Sequence, residues 1–167
     1  MTRIRRTRIA DIFFGRATKL SVAVTIGFAA ATLFAPASAS AAGLPWAVTA
    51  DSGGTPIAKA YGDFADNGGV FATVGINYVD MSNNGSPVYV EVSFFFWEDS
   101  STGVRWVPDY PASKQTARTQ RMKYVSTELS TRLHSTSSQA RAEIKVCEDR
   151  NLAYDRCSPP AIKTFTY

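Results

Sequence analysis

The chain has little of what most catalytic and metal centres are built from. It carries one histidine, His134, and two cysteines in 167 residues, with no C-x-x-C pair and no clustered His ligands. A redox dithiol and a Cys/His metal site both need such groupings. No G-x-S-x-G elbow is present to hold a nucleophilic serine apart from its base. His134 has Ser135, Thr136, Ser137 and Ser138 beside it, but residues adjacent in sequence rarely reach triad geometry. It reads as a turn histidine. No apolar run reaches the roughly twenty residues needed to span a bilayer. The longest, Leu20 to Ala35, has sixteen. No long Pro/Ser linker and no internal repeat divides the chain, and helical periodicity is almost absent.

What is present begins with an export signal. Arg3, Arg5, Arg6, Arg8, Arg16 and Lys19 precede the apolar run. Pro36 ends it, and Ala37-Ser38-Ala39 and Ala39-Ser40-Ala41 offer small-x-small cleavage sites. Residues 1–39 are expected to be a signal peptide, cleaved near 39–41. Residues 40–167 then form a single secreted, extracellular domain with no membrane attachment, since no cysteine near the cleavage site can take a lipid.

Removing the signal reverses the charge argument. The whole chain is formally +4. Six of its 18 basic and one of its 14 acidic residues precede residue 40, which leaves twelve against thirteen and a net charge near −1. The basic footprint of a nucleic-acid binder is therefore absent.

The remaining pattern is period-two alternation bounded by Gly, Asn, Asp and Pro, the signature of an all-β sandwich or barrel. We expect a two-sheet antiparallel β-sandwich, Ig-like or jelly-roll-like. Ala72, Val74, Ile76 and Tyr78 line one face of a strand, and Val90, Val92, Phe94 and Phe96 line one face of another. The link Met81–Pro87 is rich in residues that tolerate φ > 0, which predicts a hairpin. Pairing Asp80 with Val88 sets Tyr78 opposite Val90 and Ala72 opposite Phe96, with the apolar face turned to the core. Further strands are expected over Val125–Leu133, Ala140–Val146 and Ala161–Thr166. Cys147 and Cys157 flank a polar nine-residue loop and are expected to form one structural disulfide.

That register generates the candidate site. Phe71, Asn77, Tyr89, Glu91, Phe95 and Trp97 would share the outer face of the hairpin, as aromatic area flanked by a carboxylate and an amide. Such a surface suits sugar rings or extended peptides. Against it, the segment with Trp106, Pro108, Tyr110 and Pro111 is positioned to cover the aromatics as a second small core. Asp63, Asp66 and Asn67 before Gly68-Gly69 make an oxygen-rich turn, but the regular spacing of a calcium loop is missing. No metal and no cofactor is expected. Glu91 and Glu98 differ by an odd number of residues and so fall on opposite strand faces, which removes them as a glycosidase pair.

Tyr89-Val90-Glu91-Val92-Ser93, Phe95-Phe96-Trp97-Glu98 and Val146-Cys147-Glu148-Asp149 with Cys157 resemble small secreted β-sandwich proteins of high-GC Gram-positive bacteria. The resemblance implies export and a β fold, and carries over no catalytic residue. The expected function is non-catalytic recognition of an extracellular polysaccharide, cell-wall component or protein. The alternatives are a small extracellular hydrolase with a loop-built site and a secreted inhibitor, for which the cystine-closed loop is the obvious rigid element.

Overall fold

The computed structural model describes residues 43–100 and 103–167. The expected signal peptide lies outside the described residues. Ten strands follow in order: β1 (Leu44–Ser52), β2 (Thr55–Asn67), β3 (Phe71–Asp80), β4 (Val88–Ser100), β5 (Gly103–Pro108), β6 (Lys114–Gln115), β7 (Val125–Arg132), β8 (Gln139–Glu148), β9 (Arg156–Cys157) and β10 (Ala161–Thr166). Two antiparallel sheets pack face to face. The first has the order β1-β2-β3-β7, and the second β10-β8-β4-β5, with β6 on β4 and β9 on β8. The expected two-sheet sandwich is the fold.

Local chemistry sets the hairpins. Gly53 and Gly54, at φ 58° and 83°, make the two-residue turn between β1 and β2, a conformation that β-carbons oppose. Further along β2, the Trp46 ring lies against the bare backbone of Gly62, where a β-carbon would come within 1.8 Å of the Gly75 carbonyl oxygen. That close approach lets the indole sink into the core at 4% exposure.

The alternating faces predicted from the sequence are the core. Ala72, Val74, Ile76 and Tyr78 are buried, as are Val90, Val92, Phe94 and Phe96, with Ala142, Ile144 and Val146 from β8. The one hydroxyl among them, on Tyr78, donates to the Ala117 carbonyl oxygen at 2.6 Å. Phe64 bridges the sheets, with its ring centroid 6.3 Å from that of Phe94 and 4.7 Å from that of Phe165.

The pairing of these strands differs from the expectation. β3 pairs with β2 and β7, whereas β4 pairs with β8, β5 and β6. Tyr78 lies beside Ala60 and Val125, and Val90 beside Val146. The Met81–Pro87 link is thus a crossing from one sheet to the other. Its start is anchored by the Met81 amide on the Ile57 carbonyl at 2.9 Å, and its end by the Asp149 amide on the Pro87 carbonyl at 2.8 Å. Two apolar faces that match in pattern can lie side by side or face to face. Burying both faces against each other leaves neither exposed to water, and that arrangement prevails.

The later strands match their predicted positions, with β7 ending at Arg132 and β10 spanning Ala161–Thr166. Cys147 and Cys157 are bonded and sit opposite each other on β8 and β9. The bridge closes a short loop, so the chain-entropy model assigns it about 3 kcal/mol. Replacing both cysteines by serine should lower the unfolding free energy by that amount without loss of strand content. Urea unfolding followed by circular dichroism measures both.

Candidate functional site

Separation of β3 from β4 divides the six candidate residues between opposite faces of the sandwich. Phe71 and Asn77 lie on the outer face of the first sheet, where Phe71 is 42% exposed. Asn77 Oδ1 accepts the Ser126 hydroxyl at 2.6 Å. Tyr89, Glu91, Phe95 and Trp97 share the outer face of the second sheet. A six-residue platform on one hairpin therefore does not form, because its members belong to two sheets.

The four residues on the second sheet differ in character along β4. Tyr89 is buried at 3% exposure. Its hydroxyl donates to Asp155 Oδ2 at 2.6 Å, and the Arg118 guanidinium sits 4.7 Å over its ring. Burial first, and then the hydrogen bond and charge of Asp155, raise the tyrosine pKa above its ordinary range. Two residues on, Glu91 pairs with Lys145 Nζ at 2.8 Å and accepts from Gln115 Nε2 at 2.9 Å. Burial opposes its ionisation, but these two hydrogen bonds outweigh it and hold the carboxyl below its usual pKa. Its contribution to stability is therefore present above the normal carboxylate range and is lost as pH falls through the lowered pKa. Both residues are occupied by their own neighbours.

The other end of β4 is aromatic. The rings of Trp97 and Trp106 meet edge to face, 5.2 Å apart, across the β4–β5 pair. Arg141 reaches from β8 and lies 4.6 Å from the Phe95 ring and 4.9 Å from that of Trp106. One end of its guanidinium pairs with Glu143 at 2.9 Å, while Nε is buried without an acceptor. Phe95, Trp97 and Trp106 are each half-buried. The result is a strip of three rings and a guanidinium, part of each exposed.

Trp106 and Arg141 complete this strip, and neither belongs to the six-residue platform that the sequence predicts. Trp106 was expected on a covering loop. Instead β5 continues the sheet and sets Trp106 directly opposite Trp97. The signal was available in the alternation of Val104, Trp106 and Pro108 after Gly103. Arg141 carried no such signal, since it pairs with Phe95 only through the β4–β8 register.

His134 occupies the same end of the sandwich, in the link between β7 and β8. Its ring stacks on Phe96 with centroids 3.8 Å apart. Nδ1 is 2.6 Å from Glu98 Oε1, and Nε2 is 3.4 Å from Asp109 Oδ1. Asp109 also accepts the Thr131 hydroxyl, and Glu98 the Thr136 hydroxyl at 3.3 Å. The histidine thus ties the end of β4, the segment after β5 and the β7–β8 link together. Beside it runs a groove of about 670 Å³ lined by Val70, Arg132, Ser135, Ser137 and Tyr167. Both ring nitrogens face carboxylates, so the ring is held as a structural tie, and no serine hydroxyl is bonded to it among the described residues.

The turn at Asp66 is also accounted for locally. Asp66 Oδ1 accepts the Gly69 amide at 2.8 Å, which closes the bend between β2 and β3. Among the described residues, no group of three or more His, Cys, Asp or Glu side chains is placed to hold a metal ion.

Compared with known proteins, the chain matches no family model and no curated protein sequence.

A pH prediction follows from Tyr89. An unfolded tyrosine ionises near pH 10 (about 10), whereas the folded one holds its proton to higher pH. The stabilisation is full below the unfolded pKa of about 10 and is lost as pH rises from there through the raised folded pKa, because only the unfolded chain releases the proton in that window. Tyr89→Phe should flatten the alkaline limb of the urea midpoint against pH. Equal slopes in both proteins would show that Tyr89 does not contribute.

Proposed function

We propose that this is a secreted, non-catalytic binding protein that recognises an extracellular glycan chain through the outer face of its second sheet. The observation that carries the reading is the strip formed by Phe95, Trp97, Trp106 and Arg141. Aromatic rings held at fixed angles offer apolar area to the faces of sugar rings at low entropy cost. A guanidinium between them supplies donors for ring hydroxyls or a uronate carboxylate. Strands rather than loops hold all four residues, so the surface is preorganised and little freedom is lost on binding.

Export supports the same reading. The basic stretch, the sixteen-residue apolar run and the small-residue cleavage pattern before residue 41 point to secretion. The disulfide suits an oxidising compartment. Polymers outside the cell are then the available ligands.

Tryptophan fluorescence tests the proposal in titrations with soluble polysaccharides and cell-wall fragments. A saturable shift is expected, and Trp97→Ala should abolish it. That substitution removes half-buried ring area as well as the ring pair, so it should cost on the order of 2–3 kcal/mol and leave a cooperative thermal transition at lower temperature. No shift with any glycan, or a shift that survives in Trp97→Ala, would reject the strip as the binding face.

A further inference from the structure

At the other end of β4, the loop Glu148–Arg156 projects between the bonded cysteines. Its apex bears two large side chains in full contact with water. Leu152 is fully exposed and Tyr154 is 97% exposed. Leu152 also holds a left-handed backbone, at φ 61°, which non-glycine residues normally avoid. Two apolar side chains are therefore presented to solvent at a position where glycine or asparagine would be easier to fold.

The base of this loop is tied to the sandwich from several directions. Cys157 is bonded to Cys147 and paired with it in the sheet. Asp155 accepts from the Tyr89 hydroxyl at 2.6 Å and from the Arg150 amide at 3.3 Å. Arg156 reaches Ser52 at 2.5 Å and the buried Glu148 at 3.7 Å. Asp149 pairs with Arg118, and Glu148 accepts from Asn84 at 2.6 Å. A free apex on a fixed base is the form of a loop that enters a cleft without first being ordered.

We propose that this loop is an inhibitory loop for a serine protease that prefers aromatic residues, with Tyr154 filling the primary specificity pocket. The anchored side is the one that matters chemically. In such a cleft the enzyme's serine oxygen bonds to the Tyr154 carbonyl carbon as the bond to the Asp155 nitrogen breaks. The enzyme's histidine passes the serine proton to that departing amine. Here the amine stays in place, because the Asp155 carboxylate is held by Tyr89 and Arg150, and Cys157 is fixed to β8. It can re-form the peptide bond before water reaches the acyl carbon. Leu152, at φ 61°, bends the chain two residues before Tyr154. Neighbouring segments at the same end, Met81–Pro87 and Ala117–Arg121, are placed to supply the rim that a stable interface needs. The guanidinium of Arg156 is already engaged by Ser52 and Glu148, so an arginine-preferring protease has no comparable entry there.

The loop is independent of the aromatic strip, and the experiment keeps them apart. Chymotrypsin and trypsin are titrated with the protein and with four variants, each checked for its thermal transition. Stoichiometric inhibition of chymotrypsin at or below about 1 μM is expected, with trypsin unaffected. Tyr154→Gly should weaken inhibition on the order of 100-fold, and Tyr154→Lys should transfer it to trypsin. Asp155→Ala should fold but become a substrate, cut after Tyr154. Trp97→Ala should inhibit as the parent does. The proposal is overturned if the parent inhibits neither enzyme, if it is cut after Tyr154 as fast as Asp155→Ala, or if Tyr154→Gly inhibits as well as the parent.

Discussion

The fold depends on one apposition, that of the apolar face of β3 against the apolar faces of β4 and β8. Each strand presents a line of side chains from alanine to phenylalanine that is fully removed from water only when the other sheet lies on top. This contact sends the Met81–Pro87 link from one sheet to the other. It also forces the chain to cross again between β6 and β7 and between β7 and β8. Outer faces follow from inner ones. Once β3 and β4 belong to different sheets, nothing on the back of β3 can cooperate with the back of β4.

The outer face of the second sheet is consequently built from β10, β8, β4 and β5, with β6 and β9 and without β3, and it changes character along its length. Near the disulfide, each polar group has found a partner: Tyr89 with Asp155 and Arg118, and Glu91 with Lys145 and Gln115. Near Trp97, the partners are aromatic and a guanidinium packs among them. Paired charges hold the sheet together and leave little valence for a ligand, whereas rings packed edge to face keep part of their faces open. The binding reading therefore concentrates on one end of the face.

The two ends of the sandwich are secured by different means. At the Trp97 end, His134 stacks on Phe96 and faces Glu98 and Asp109, which joins the β7–β8 link to β4 and to the segment after β5. At the opposite end, a covalent bond and the buried carboxylate of Glu148 do the equivalent work around the projecting loop. A domain fixed at both ends presents the strip and the loop as separate features of its surface.

Much of this was legible in the residues. Period-two alternation identified which side chains face inward, because in a strand the face is a local property of every second residue. The cystine, β7, β8 and β10 were legible for similar reasons of spacing and composition. Partnership was not. Val90 matches Tyr78 and Val146 equally well as an apolar neighbour, and only simultaneous burial of both sheets selects Val146. The same limit split Phe71 and Asn77 from Tyr89, Glu91, Phe95 and Trp97. It also concealed Arg141, whose place beside Phe95 and Trp106 comes from a register between strands more than forty residues apart. Inward and outward were determined by the sequence itself, while which outward residues share a surface was decided by tertiary structure, since sheet membership depends on the whole core being buried at once.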